Sequence, residues 1–142
     1  MKTRIIETLV YAAFLLLGSP LIGEEFTRFE SYFNGQFYTF PLSREDFDRS
    51  PAWDATNGPP PLAVEKAVKI ANEGMKDLFT DKKDQNWTIA YIQLFRLRGN
   101  KWCYLVEYEN FPDYPINGQI PHFKFPVLMN GTSLKCHAGR KP

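Results

Sequence analysis

Val64-Glu-Lys-Ala-Val-Lys-Ile-Ala-Asn-Glu-Gly-Met-Lys-Asp-Leu-Phe79 decides the fold class. Val64, Ala67, Val68, Ala71, Met75, Leu78 and Phe79 recur every three or four residues, so at 3.6 residues per turn they form one apolar stripe. Glu65, Lys66, Lys69, Glu73, Lys76 and Asp77 take the other side. The pattern predicts a helix over 62–79 that must lay its stripe on another element. Pro61 stands at its start, where a missing N–H costs little. Gly74 weakens the interior by about 1 kcal/mol relative to alanine, and a close approach of a sheet would account for it.

After the helix the period changes from 3.6 to 2. Trp87–Arg98 and Lys101–Glu109 flank Gly99-Asn100, and Phe123–Met129 and Thr132–His137 flank Asn130-Gly131. Both dipeptides are two-residue hairpin signals. Alternation sends Trp102, Tyr104, Val106 and Tyr108 to one sheet face, with Phe123, Phe125, Val127 and Met129, and with Ala90, Ile92 and Leu94 joining them against the helix. Tyr91, Phe95, Leu105 and Leu128 then fall on an apolar back face that something should cover. The expected fold is α+β: one main amphipathic helix on a curved antiparallel sheet of about four strands, with an aromatic N-terminal extension as the cover. A partner protein is the alternative cover.

The residues before the helix are aromatic and irregular. Phe26, Phe29 and Phe33 are spaced by three and four, which predicts a short helix over 25–33 stopped by Asn34-Gly35. Gln36–Phe40 reads as a strand stopped by Pro41, and Asp54–Pro61, with Asn57-Gly58 and three prolines, reads as a loop.

Residues 1–23 read as an address. Lys2 and Arg4 precede the apolar run Leu9-Val-Tyr-Ala-Ala-Phe-Leu-Leu-Leu17, too short for a membrane span but suited to a signal peptide that ends near Gly23. An uncleaved anchor is the rival reading. The expected organisation is signal peptide 1–23, extension 24–58 and helix-plus-sheet domain 59–142, in a protein that is exported, periplasmic or secreted. No membrane insertion is expected after cleavage.

The whole chain of 142 residues carries 17 Lys+Arg and 16 Asp+Glu. Without Lys2, Arg4 and Glu7 the balance is 15 to 15, which removes the electrostatic footprint of a nucleic-acid binder. Arg96, Arg98 and Lys101 read as a solvated cluster.

The order of one helix followed by antiparallel strands, through Leu62–Ala71, Lys101–Tyr108 and Phe125–Gly131, resembles exported single-helix α+β domains of the PepSY and cystatin-like type. Phe40-Pro-Leu-Ser-Arg-Glu-Asp-Phe47 is similar to a stretch in bacterial secreted proteins. The likeness implies architecture. The Gln-x-Val-x-Gly wedge of cystatins is replaced by Arg98-Gly99-Asn100-Lys101 at the corresponding turn, so it does not imply protease inhibition.

Motifs for nucleophilic, phosphate or metal chemistry are missing from the sequence, and no cofactor or metal is expected. Cys136-His137 would point to opposite strand faces. Cys103 and Cys136 are the one possible disulfide in an oxidising compartment. A two-residue turn at Asn130-Gly131 places them on opposite faces and argues against the bridge, whereas a three-residue turn or a bulge reverses that.

Three functional readings follow. The first is a non-enzymatic protein- or peptide-binding module using Phe111, Tyr114 and Ile116 of the Pro-rich 110–121 connection, apolar groups that a short loop cannot bury alone. The second is a structural or oligomerising subunit that uses the apolar back face. The third is a small hydrolase or isomerase in which His122 works with Glu107 or Asp113.

Overall fold

The computed structural model describes residues 25–81, 86–111 and 120–140. The expected signal peptide lies outside the described residues, as do Asp113, Tyr114 and Ile116. In chain order the elements are β1 (Glu25–Phe33), β2 (Gln36–Ser43), α1 (Arg44–Arg49), a 3-10 turn (Ala55–Asn57), α2 (Val64–Leu78), β3 (Trp87–Arg96), β4 (Trp102–Asn110), β5 (His122–Leu128) and β6 (His137–Gly139). The fold is α+β, with one main helix and two antiparallel three-stranded sheets, β1-β2-β6 and β3-β4-β5. That is two sheets where the sequence pattern suggests one of about four strands.

The main helix and the β3–β4 hairpin are where the periodicity predicts, but the hairpin turn has three residues, Arg98-Gly99-Asn100, closed by Leu97 N–H on the Lys101 carbonyl at 2.9 Å, where the sequence suggests two. Ala67, Ala71 and Met75 of α2 are buried, and the helix packs on β4 and β5. Tyr108 donates its hydroxyl to Asn72 Oδ1 at 2.7 Å and Tyr104 donates to the Leu62 carbonyl at 2.9 Å, which fixes the face carrying Tyr104, Val106 and Tyr108 as the helix side. Gly74 has the close approach that its position in the helix hints at. A Cβ built there would lie 2.6 Å from Cε2 of Phe125 and nearer still to Cζ, well inside van der Waals contact.

The N-terminal stretch differs from its predicted helix. Glu25–Phe33 is a strand, and Asn34-Gly35 is a two-residue hairpin turn with φ of 49° and 76°. Positive φ at both central residues is what a type I′ turn needs, and glycine and asparagine supply it at little cost. Strand β2 also runs through Pro41 instead of stopping there. Pro41 pairs with Arg28 on β1, while β6 reaches only Phe37–Thr39 on the other edge, so the missing N–H of Pro41 breaks no ladder bond on that side.

The second predicted hairpin also differs. Leu128 N–H bonds to the Thr132 carbonyl at 3.0 Å, closing a three-residue turn with Gly131 at φ 82°. After the single bridge Val127–Ser133 the chain leaves β5, and His137–Gly139 pairs with β2 as β6.

The two sheets meet at β1 and β5. The Ser31 hydroxyl accepts from Lys124 N–H at 2.8 Å and donates to the Lys124 carbonyl at 3.4 Å. An aromatic core fills the angle between them. Phe40 packs edge-on against Phe123 and Phe125, and Phe33, Tyr38 and Trp87 close around Phe79. Edge-to-face pairs of this kind add about 0.5–1.5 kcal/mol each beyond the area they bury.

Candidate functional site

Strand β3 is the anomaly of the fold. It pairs with β4 along one edge, and among the described residues no strand pairs with its other edge. Ile89, Tyr91, Ile92, Leu94 and Phe95 are between 36 and 50% exposed. A bulge at Ala90, between the pairs Ile89–Tyr108 and Tyr91–Glu107, keeps the two faces distinct. Ile89, Ile92 and Leu94 lie opposite Tyr108, Val106 and Tyr104 on the helix side, and Tyr91 and Phe95 lie opposite Glu107 and Cys103 on the back.

Alternation predicts that Ala90, Ile92 and Leu94 pack under the helix. They are exposed because α2 lies over β4 and β5 and stops short of β3. The back face is divided in the same way. Leu105 and Leu128 are buried, and Phe29 of β1 meets Phe95 edge-on at 5.7 Å, so the N-terminal residues reach the back of the sheet as expected. Tyr91 is left half-exposed beyond that cover.

The turn end of β3 is cationic and tied down. Lys101 donates through Nζ to the carbonyls of Phe47, Asp48 and Ser50 at 2.8, 2.9 and 2.7 Å. An ammonium at the C-terminal end of α1 complements the exposed carbonyls there. Arg98 stands 4.9 Å over the Phe26 ring and Arg96 stands 5.7 Å over Trp102. These three cations hold the N-terminal segment and the hairpin in place, a role beyond that of a solvated cluster.

The open end of β3 adjoins an acidic cluster. Glu107 is buried on the back face of β4, and burying a carboxylate is costly unless donors surround it. The Tyr91 hydroxyl donates to Glu107 Oε2. His122 Nδ1 lies 2.9 Å from Glu107 Oε1 and 3.9 Å from Glu109 Oε1, and Lys124 Nζ lies 3.8 Å from Glu107 Oε2. The hydrogen bond to Glu107, and after it desolvation and the charges of Glu107 and Glu109, hold the Tyr91 hydroxyl above its ordinary range.

The third reading requires His122 to reach Glu107, and it does. In the tautomer with its proton on Nδ1, the half-exposed ring keeps Nε2 as an acceptor. The charged neighbours of this ring are the two glutamates. A cleft of about 220 Å³ lined by Asn72, Met75, Lys76, Phe79, Trp87 and Tyr108 lies on the helix side, the sheet face opposite Glu107. The contacts of the cluster surround a buried carboxylate and anchor Tyr91.

The remaining sequence candidates fall as follows. Phe111 is 52% exposed at the mouth of the connection whose base is closed by Asn110 N–H on the Pro121 carbonyl at 3.0 Å. Cys103 is buried, Cys136 is half-buried, and both are free thiols. The turn has the three-residue form that would carry both to one face, but the chain departs from β5 after Ser133, so the possible bridge is not made. Burial pushes the Cys103 thiol up to about 12 and the Cys136 thiol up to about 11, so neither is an activated nucleophile. Among the described residues no group of three or more His, Cys, Asp or Glu side chains is placed to hold a metal ion.

No family model matches this chain, and no curated protein or solved structure matches it.

Proposed function

We propose that this chain is a non-enzymatic binding module, working after export, that docks a protein or peptide strand on β3. The observation that carries this reading is a ten-residue edge strand, Trp87–Arg96, with apolar side chains exposed on both faces and a single formal charge, Arg96 at its end. Natural sheets protect such edges with charges, prolines or very short strands, because an open ladder of N–H and C=O groups templates another strand. Between Trp87 and Phe95, β3 has no charge and no proline, and the bulge at Ala90 is its one such device. Strand addition uses both parts of the surface: the backbone ladder supplies affinity, and the alternating side chains supply selectivity.

Phe111 extends the same apolar surface near the open end of the hairpin, since Trp87 pairs with Asn110, and Tyr114 and Ile116 belong to the proposal with it. The signal-like residues 1–23 support export. The likeness to single-helix exported domains supports a binding role at the level of architecture.

The test is selection from a displayed peptide library on immobilised wild type and on Leu94→Lys. Leu94 is solvent-facing, so the added charge blocks the edge without entering the core. Wild type should enrich extended, apolar-alternating peptides that Leu94→Lys does not retain. Equal enrichment on both proteins, or none on either, refutes β3 as the docking surface.

A further inference from the structure

We propose that the cleft between α2 and the start of β3 is a binding site for a small aromatic carboxylate. The site is separate from the docking edge of β3 and does not depend on it.

The floor of the cleft is apolar and firmly packed. Met75, Phe79 and Tyr108 are buried, and the Phe79 and Trp87 rings lie 5.2 Å apart, tilted by 39°. Trp87 is held in turn against Phe33 and Phe123. Such a floor accepts a flat apolar body, because a ring gains both burial and aromatic contacts there. The cleft measures about 220 Å³. An apolar cavity of about 150 Å³ admits one benzene ring, so the space suits a single ring with a short polar arm.

The rim supplies donors. Asn72 and Lys76 stand one turn apart on α2 and share a face of it. Tyr108 donates its hydroxyl to Asn72 Oδ1 at 2.7 Å, which fixes the amide and leaves the protons on Nδ2 for another acceptor. Lys76 is exposed and makes no ion pair among the described residues. No Asp or Glu lines the cleft.

A third donor is left over in the wall. Trp87 Nε1 is buried and has no hydrogen-bond partner, although a buried indole N–H usually finds one. An unmade bond of this kind is destabilising, and an acceptor brought into the cleft is the group that removes the cost. Because the N–H is shielded from water, the indole edge has to turn towards the ligand as the bond forms.

Three donors, one of them a cation, over a floor without a carboxylate select an anion. A carboxylate has two oxygens, enough to accept from Lys76 and from the neutral donors together. The ring behind it takes the aromatic floor. A ligand of about ten non-hydrogen atoms held in this way binds in the range of about 0.1–1 mM.

The test titrates phenylacetate into the isotope-labelled full chain and follows the indole N–H signals of its three tryptophans by NMR. Trp87→Phe identifies the signal of Trp87, which should move saturably. Phenylacetamide, which lacks the charge, should bind about tenfold more weakly, and so should phenylacetate to Lys76→Met. Phenethylamine, with the opposite charge, should leave the signal in place. Lys76 is exposed, so Lys76→Met should keep the circular dichroism spectrum and urea midpoint of wild type.

A Trp87 signal that stays fixed up to about 10 mM phenylacetate overturns the site. Equal binding of phenylacetate and phenylacetamide, or equal binding of phenylacetate by wild type and Lys76→Met, overturns the carboxylate as the recognised group. A peptide ending in phenylalanine that binds more tightly than phenylacetate overturns the free acid as the occupant.

Discussion

β3 and β4 are neighbours in one hairpin, similar in length and comparably apolar, yet they have opposite environments. Along β4 every residue from Cys103 to Tyr108 is buried, whereas along β3 every residue from Thr88 to Arg96 is exposed. Composition does not separate them. Position does: among the described residues β4 has a strand on each side and α2 above it, while β3 has one strand beside it and lies beyond the reach of the helix. An apolar strand in the place where a sheet ends is a surface, whatever its alternation says.

The comparison breaks most sharply in stability. Val106 and Ile92 are cross-strand partners on the helix side. Val106→Ala should cost about 2–3 kcal/mol, because the side chain is fully buried and a tightly packed site relaxes only in part. Ile92→Ala should cost under about 1 kcal/mol, because its side chain is already partly in water. Urea unfolding of the two variants measures the difference, and equal losses would mean that β3 is covered in solution.

Gly74→Ala sharpens the account of what α2 covers. Helix propensity alone predicts a gain of about 1 kcal/mol. The Phe125 ring, overlapped by the new Cβ, predicts a net loss of about 1–2 kcal/mol through overpacking. A stabilised variant would show that the helix does not lie this close to β5.

The smallest effect is alkaline. Burial raises Cys103 from 9.0 to about 12 and also raises Tyr108 on β4, while Tyr91 on β3 is raised first by its bond to Glu107. In each case the unfolded chain loses its proton first. Stability is thus whole below the ordinary thiol and phenol values and falls as pH climbs above about 9 towards the folded values. From pH 8 to pH 10 the loss from Cys103 should be roughly 1 kcal/mol. Cys136, raised to about 11, adds a loss of similar size, so Cys103→Ser, measured against wild type at both pH values, should remove about half of the thiol part of the slope.

The main helix and the β3–β4 hairpin are legible in the sequence because each has one clean period and the hairpin has a turn dipeptide between its arms. β1 is not, and the reason is local. A register shift between Glu25 and Thr27 puts Phe26 out of step with Phe29 and Phe33, so a bulged strand imitates helical spacing. Asn34-Gly35 ends a helix or turns a hairpin with equal ease. β6 has three residues and no pattern to detect. At the candidate site, the apolar character of Tyr91 and Phe95 is visible in the sequence, but their exposure is not, because it depends on how far α2 and β1 reach across the sheet. The approach of His122 to Glu107 follows once Glu109 pairs with His122, a register that no short-range signal specifies.

The pairing of Phe37 with Gly139 closes a loop of roughly 100 residues, among the slower kinds of contact to form. β3, β4 and β5 are joined by nearer contacts and can assemble as soon as their own segment is available. A chain emerging from a ribosome or a translocation channel would complete that half first. The outer rim of β2 would stay bare until β6 arrived, so an interruption in synthesis or transport just before His137 would leave a second sticky strand in addition to β3.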